Sequence, residues 1–411
     1  MQKDPLATSE KNLHHAATQY EQLSSTLQRA SVADVTRYIP SSIQCLLWGR
    51  AAGRCEFCNK PLWKSAVTQE QVKLAELAHI YSFSPDGPRG NTGISRKKIN
   101  DIANLLLVCR ECHKTIDQDT EGEQYSAALL CELKRRHERR IDIITGIGLD
   151  RTSHVLHYGA NVGDHSSPLK FRLTALALFP DRYPADDKAI ELTTINSSFN
   201  ERDSSFWSTE SHELTTKFDQ RVHERLATGE ISHLSIFALA PQPLLILLGS
   251  LLTDIPQADV YQLHREPQGW SWPDEAKIIP YQIDEPADTS GPPALVLSLS
   301  ATITPDRIQS ALGQKAAIWS VGIMSPHNDF LKSRQQLALF RSHMRPLLDR
   351  IKSRHGQKTI LHIFPAAPVS IAVELGRVRM PKADMPWAIY DQINAQGGFV
   401  RTLTIPKGVE A

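Results

Sequence analysis

The chain has no excess of charge of either sign. Its 411 residues carry 46 Lys and Arg against 45 Asp and Glu, a formal net charge of +1. No global field therefore draws in a polyanion, and any nucleic-acid affinity must come from a local patch. The chain also lacks an uninterrupted apolar run of membrane-spanning length. The nearest, S-I-F-A-L-A-P-Q-P-L-L-I-L-L-G-S-L-L at residues 235–252, is cut by Pro241, Gln242 and Pro243; a strand, a turn and a buried helix are predicted there, with no membrane contact. Residues 1–30 are polar, without a basic segment leading into an apolar one, so secretion is not expected and the chain is read as cytoplasmic. Cysteine is scarce. Of six, four lie in two close pairs, which argues against a disulfide framework and fits a reduced compartment with a metal site.

Those pairs organise what is present. Cys55 and Cys58 form one C-x-x-C, Cys109 and Cys112 the other. Each pair lets two thiolates reach one ion from a tight turn, and two pairs complete a tetrahedral zinc site. The long separation predicts a clamp on the two ends of a small domain instead of a finger; a redox dithiol or two unrelated knuckles are the competing readings. Cys45 has no sulfur nearby in the sequence and is expected as a small buried hydrophobe.

Between the pairs, L-A-E-L-A-H-I-Y places His79 on a predicted strand, and Asn104 opens a second apolar run. C-H-K-T-I-D then turns into a helix carrying His113 and, one turn later, Asp117. Positions i and i+4 share a helical face, so this imidazole and carboxylate can hold one divalent cation, Mg²⁺ or a similar ion. Phosphodiester cleavage needs a base to deprotonate water and a cation to neutralise charge on phosphate. His79 can be that base, with Asn104 orienting it. Downstream, C-E-L-K-R-R-H-E-R-R-I-D-I-I reads as a helix whose Lys134, Arg135, Arg136, Arg139 and Arg140 form a solvated face or, beside a nuclease, a phosphate contact blind to sequence.

The remainder shows an internal match. F-R-L-T-A-L-A-L-F-P-D-R-Y (171–183) pairs with V-L-S-L-S-A-T-I-T-P-D-R-I (296–308), each read as a strand running into P-D-R. S-I-F-A-L-A-P-Q-P-L-L-I-L-L-G (235–249) pairs with H-I-F-P-A-A-P-V-S-I-A-V-E-L-G (362–376) without a gap. Two copies of one α/β unit are expected, about 169–290 and 294–411. The helix starts after each A-P turn, near Gln242 in one copy and Ala367, Val369 and Ser370 in the other, are candidate anion sites, or else simple helix beginnings where Pro suits the first turn. Trp270, Trp272, Trp319, Trp387 and Tyr390 are candidates for base stacking or for core.

The pattern G-R-C-E-x-C…A-H-I…G-P-R-G…N-L-L-L-V-C-x-x-C-H-K-x-I-D resembles the HNH (ββα-metal) endonuclease family. The resemblance implies His79 as general base, Asn104 as its positioning residue, His113 as metal ligand, and Cys55, Cys58, Cys109 and Cys112 as zinc ligands. Ala78 stands where many members carry a second metal ligand, which leaves Asp117, Glu76 or water to complete the shell. The matched pair of units, with P-A-A-P-V-S-I-A-V-E-L-G-R as its most typical piece, resembles the SAVED domain, a fused pair of CARF-like Rossmann units. The expected architecture is an α+β, zinc-stapled HNH domain at 43–145 behind a helical or mobile arm at 1–42. A linker at 146–167 then leads to an α/β SAVED domain at 168–411. The whole resembles the HNH–SAVED effectors of CBASS anti-phage systems, which implies a nuclease degrading double-stranded DNA with little sequence preference. It would be switched on by a cyclic di- or trinucleotide through homo-oligomerisation. A restriction-type HNH nuclease whose C-terminal half reads DNA, and a non-catalytic zinc-bearing nucleic-acid-binding protein, are the alternatives.

Overall fold

The computed structural model describes residues 36–90, 94–160, 169–193, 205–273, 277–393 and 398–406. The chain divides into two compact units, Met1–Gly146 and Ile147–Ala411.

In the first unit, α1 (Ser41–Arg50) precedes an antiparallel pair, β1 (Ala75–His79) and β2 (Leu105–Cys109). β2 runs directly into α2 (Arg110–Gln118), and α3 (Ala127–Thr145) begins behind Ser126, whose hydroxyl accepts the Leu129 N–H at 3.3 Å. L-L-L-V-C of β2 is buried at every position, so it reads as a continuous apolar run without alternation. A two-stranded sheet is marginal alone; here Leu47, Leu62, Ile80, Leu106, Ile116 and Leu130 close a core around it. The register pairs Ala75 with Cys109 and His79 with Leu105, which sets the metal-ligand end and the histidine end of the hairpin apart. The stretch before residue 43, expected as an arm, contributes to this unit from Thr36 onward; the rest of that expectation, residues 1–35, lies outside the described residues. Cys45 is exposed, contrary to expectation, because α1 buries its Leu47 face instead.

The second unit begins with β3 (Thr152–Gly159), followed by α4 (Phe171–Leu176), β4 (Tyr183–Pro184), β5 (Ile190–Glu191), α5 (Phe206–Phe218), α6 (Glu224–Ala227), β6 (Leu234–Leu239), α7 (Gln242–Leu252) and β7 (Ala258–Val260). It continues with β8 (Gln282–Asp284), β9 (Pro293–Ser298), α8 (Pro305–Leu312), β10 (Ala317–Gly322), α9 (Arg334–His355), β11 (Leu361–Ala366), α10 (Val369–Arg377), β12 (Trp387–Ile393) and β13 (Gly398–Ile405). One sheet sets β4, β3, β6 and β7 side by side, with β5 also on β3, all parallel. The other runs β13-β12-β11-β9-β10-β8, parallel in the middle and antiparallel at both edges. A single apolar core spans both, from Leu156, Ile236 and Leu245 to Leu295, Trp319, Val373 and Trp387. Each fully buried large apolar side chain there contributes about 1.5–3 kcal/mol. Trp270, Trp319 and Trp387 belong to core, not to a stacking surface.

Two expectations are corrected here. Residues 171–176 are a helix, not a strand: F-R-L-T-A-L is rich in Leu, Arg and Ala, and short apolar runs are ambiguous between the two periods. The strand of this half is β3, inside the stretch expected as linker. Its last five residues are buried, which erases the alternation that would mark it. Residues 234–252 and 361–377, in contrast, both fold as strand, Pro-led turn and helix, and α7 crosses α10 at Gly249 and Gly376. No helix among the described residues is long and apolar enough to cross a membrane.

Candidate active site

The cysteine cluster closes the β1–β2 hairpin at its open end. Cys55 and Cys58 sit in a turn that Asn59 completes, its N–H donating to the Cys55 carbonyl at 2.8 Å with φ 63°, a left-handed conformation Asn tolerates. Cys109 ends β2, and Cys112 lies on the first turn of α2. The four sulfurs lie within 4.8 Å of one another, with Cys58 Sγ 3.8 Å from Cys109 Sγ. A tetrahedron of about 2.3 Å Zn–S bonds has an edge of about 3.8 Å, so the residues present fit a zinc ion. Burial pushes the Cys55 and Cys112 thiols up, while at Cys58 burial is outweighed by hydrogen bonds from the Lys60 N–H and the neighbouring thiols, which pull it down. A cation among the four would favour the thiolate at every one.

Beyond the cluster, α2 carries His113 between two carboxylates. His113 Nδ1 lies 2.8 Å from Glu76 Oε2 on β1, and Nε2 lies 3.3 Å from Asp117 Oδ2 one turn on. An ionised carboxylate only accepts, so a neutral His113 can satisfy one of the two. With its proton on Nδ1 it donates to Glu76, the shorter contact, and the Nε2 lone pair is left on the Asp117 side for a cation to share. Two acceptors that close call for positive charge beside them, and a carboxylate behind the imidazole is the usual support of a metal-binding histidine. A cleft of about 310 Å³ opens here, lined by Gln44, Trp48, Lys73, Glu76, Leu77 and His113. Glu76 therefore stands behind His113, away from the Asp117 side.

His79 ends β1. Its Nε2 is 2.9 Å from Oδ1 of Asn100, whose Nδ2 donates to the Thr36 and Tyr38 carbonyls at 2.8 and 3.3 Å. Since carbonyls cannot donate, the amide orientation is fixed: Oδ1 faces His79, the proton sits on Nε2, and Nδ1 keeps the lone pair. Asn104, expected to orient His79, does something else. It is buried, accepts the Tyr81 N–H at 2.8 Å, and donates to the Tyr81 and Ile99 carbonyls at 3.1 and 2.8 Å. It thereby ties the residues after β1 to those before β2. Arg89 of the G-P-R-G loop is likewise a staple, its Nε donating to the Ile80 carbonyl at 2.7 Å.

In the second unit the candidate ligand residues are partly engaged with each other. Gln242 Oε1 accepts the Ala367 N–H at 3.0 Å, and Gln262 Oε1 accepts from the Ser370 hydroxyl and N–H at 2.8 and 3.3 Å. Ser370 is only 1% exposed. The helix-start donors expected to be open to an anion are thus capped by glutamine oxygens. Val369, only partly buried, begins α10 beside them.

A family model described as HNH endonuclease matches residues 55–120, and one described as SMODS-associated and fused to various effectors sensor domain (SAVED) matches residues 214–405. The chain joins an HNH endonuclease domain to a SAVED sensor domain. Comparison with curated proteins returns no match. Similar solved structures include the Acinetobacter baumannii Cap4 SAVED/CARF-domain containing receptor with the cyclic trinucleotide 2'3'3'-cAAA, at 13% identity and a TM-score of 0.41, covering 76% of this chain and 62% of that one. The Moraxella osloensis Cap4 receptor is similar at 12% identity and a TM-score of 0.39, covering 77% and 61%. This chain thus spans less than two thirds of either receptor's length.

Within the HNH domain, the basic helix differs from its sequence reading. Lys134 is buried and pairs with Glu56 and Glu138 at 3.2 and 2.8 Å. It holds the Glu56 side chain, which also accepts the Leu107 N–H, against β2. It is therefore no DNA contact. Arg135 is forked onto Glu132, and Arg140 donates to Asn59. Arg136 and Arg139 are exposed. Sequence reasoning also missed Asn100, for which only its place just ahead of Asn104 in a polar stretch was a signal.

Proposed function

We propose that this HNH–SAVED protein is a metal-dependent endonuclease that cuts double-stranded DNA with little sequence preference, under the control of a cyclic di- or trinucleotide. The observation that carries the nuclease reading is the Glu76–His113–Asp117 line, which leaves the His113 Nε2 lone pair and a carboxylate oxygen converging on one place. His113 and Asp117 would hold a divalent cation such as Mg²⁺, whose chemistry would be charge neutralisation at the scissile phosphate. His79 accepts the proton of the attacking water at Nδ1, and Asn100 keeps the opposite nitrogen protonated throughout. The four cysteines hold zinc for order alone.

For control, we read residues 234–252 and 361–377 as the same segment of two CARF-like, Rossmann-like copies. Their helices start 127 residues apart and cross at Gly249 and Gly376. The SAVED match supports a cyclic oligonucleotide as the ligand near Gln242, Ala367 and Val369. Binding displaces the glutamine caps and favours a homo-oligomer in which cleavage is on, the behaviour of a CBASS effector. The test is a plasmid-cleavage assay with Mg²⁺, screened against cyclic dinucleotides and trinucleotides, with light scattering in parallel. Cleavage and a rise in mass appearing together with one ligand are expected. Equal cleavage without any ligand would overturn the control and favour a restriction-type nuclease; no cleavage under any condition would overturn the nuclease reading.

A further inference from the structure

We infer that Arg37 and Arg96, gathered against Phe83 and continued by Lys97 and Lys98, form the surface that grips the DNA phosphates flanking the cleavage point. The inference rests on the nuclease reading. The Phe83 ring centroid lies 6.3 Å from that of His79, and the guanidinium carbons of Arg37 and Arg96 lie 5.6 and 5.4 Å from the Phe83 centroid. Both guanidiniums therefore stand one aromatic ring away from the imidazole. The backbone fixes them there. Arg37 lies between Thr36 and Tyr38, whose carbonyls Asn100 binds, and Arg96, Lys97 and Lys98 form the helical turn just upstream of Asn100. The residue that holds the imidazole thus holds both ends of the basic surface.

All four cations are exposed, and none makes an ion pair with a described carboxylate. Among the described residues, Arg37 commits a single donor, to Ser84 Oγ at 2.7 Å. Phe83 is half-buried, and contact of a guanidinium with a ring near the surface contributes about 0.5–1 kcal/mol without using its N–H donors. Pre-positioned guanidiniums with unused donors are built for phosphate oxygens, which they bind in a fork. The basic helix α3 makes a poor rival, since Lys134, Arg135 and Arg140 are already engaged. In a chain of net charge +1, this is the local patch that a polyanion needs.

The test measures binding of a fluorescent DNA duplex to the full chain carrying His79→Ala, at several salt concentrations. Removing a phosphate contact lowers the salt slope of log Kd by about 1. Arg37→Ala and Arg96→Ala, alone and together, are expected to weaken binding about tenfold each at low salt and to lower the slope stepwise. Arg37→Lys and Arg96→Lys retain the slope, and Arg136→Ala with Arg139→Ala leave it unchanged. Unchanged slopes in the Arg37 and Arg96 variants, with the duplex still bound, would overturn this inference alone. A parent that binds no duplex either alone or with any of the cyclic dinucleotides and trinucleotides screened for cleavage would overturn the nuclease reading on which it rests.

Discussion

Gly249 of α7 and Gly376 of α10 lie in reciprocal backbone contact. A Cβ on Gly249 would stand 1.9 Å from the Val373 carbonyl oxygen and 2.9 Å from Arg377 N, and one on Gly376 would stand 2.1 Å from the Ile246 oxygen and 2.7 Å from Ser250 N. Moving from 246, 249 and 250 to 373, 376 and 377 is the same step of 127 residues. Only a residue without Cβ permits this approach at either helix. Gly249→Ala or Gly376→Ala is therefore expected to force the helices apart and cost about 1–3 kcal/mol. Calorimetry should show a fall of at least about 2 °C in the melting of the SAVED domain, with the HNH domain unaffected. Unchanged melting would mean the helices do not meet this way.

The sulfur spacing predicts about one zinc per chain. Cys109→Ser, or a strong chelator, is expected to unfold the HNH domain, because metal binding and folding of so small a sheet are one event. Metal analysis together with circular dichroism checks it; a folded, zinc-free domain would refute the assignment.

His79→Ala should lower cleavage by about 10²–10⁴ while zinc content and melting stay as they are. Asn100→Ala is expected to lower kcat by less than that and, because it also releases the segment carrying Arg37, to raise KM for DNA, and long-range ¹H–¹⁵N spectra should show His79 leaving the Nε2–H form. Asn100→Asp, which keeps an oxygen acceptor, should retain that form. A wild-type His79 protonated at Nδ1 would reverse the roles of its two nitrogens.

Acid should weaken the SAVED domain in particular. Burial brings His264 and His362 down to about 4, and His233 likewise with Arg182 adding to it. The folded state then binds fewer protons than the unfolded chain, so stability is full above about pH 6.5 and falls as pH drops towards 4. His264 shows the cause plainly: it is 1% exposed, and neither ring nitrogen has a partner among the described residues. Melting followed from pH 7 to pH 4 should show the decline. His264→Leu should remove part of it, since an apolar side chain has nothing to protonate there.

Much of this was determined by the sequence alone. Two C-x-x-C pairs announce a four-sulfur site because ligation depends on a few adjacent residues and a tight turn, and Cys58 and Cys109 meet at a tetrahedral edge. The His113–Asp117 pair follows from helical pitch. The matched stretches 235–249 and 362–376 fold alike because strand, proline turn and helix are local signals. What depends on long-range closure was decided only by the tertiary structure. Asn100 rather than Asn104 reaches His79, because the turn after Lys98 swings it back beneath β1 while Asn104 is spent on backbone. Lys134 turns inward because Glu56, 78 residues away, is buried, and its carboxylate is stabilised there by a cation. β3 hides in an apparent linker because a strand covered on both faces shows no alternation. Arg37 and Arg96, far apart in sequence, become one surface only when Asn100 ties their two segments together.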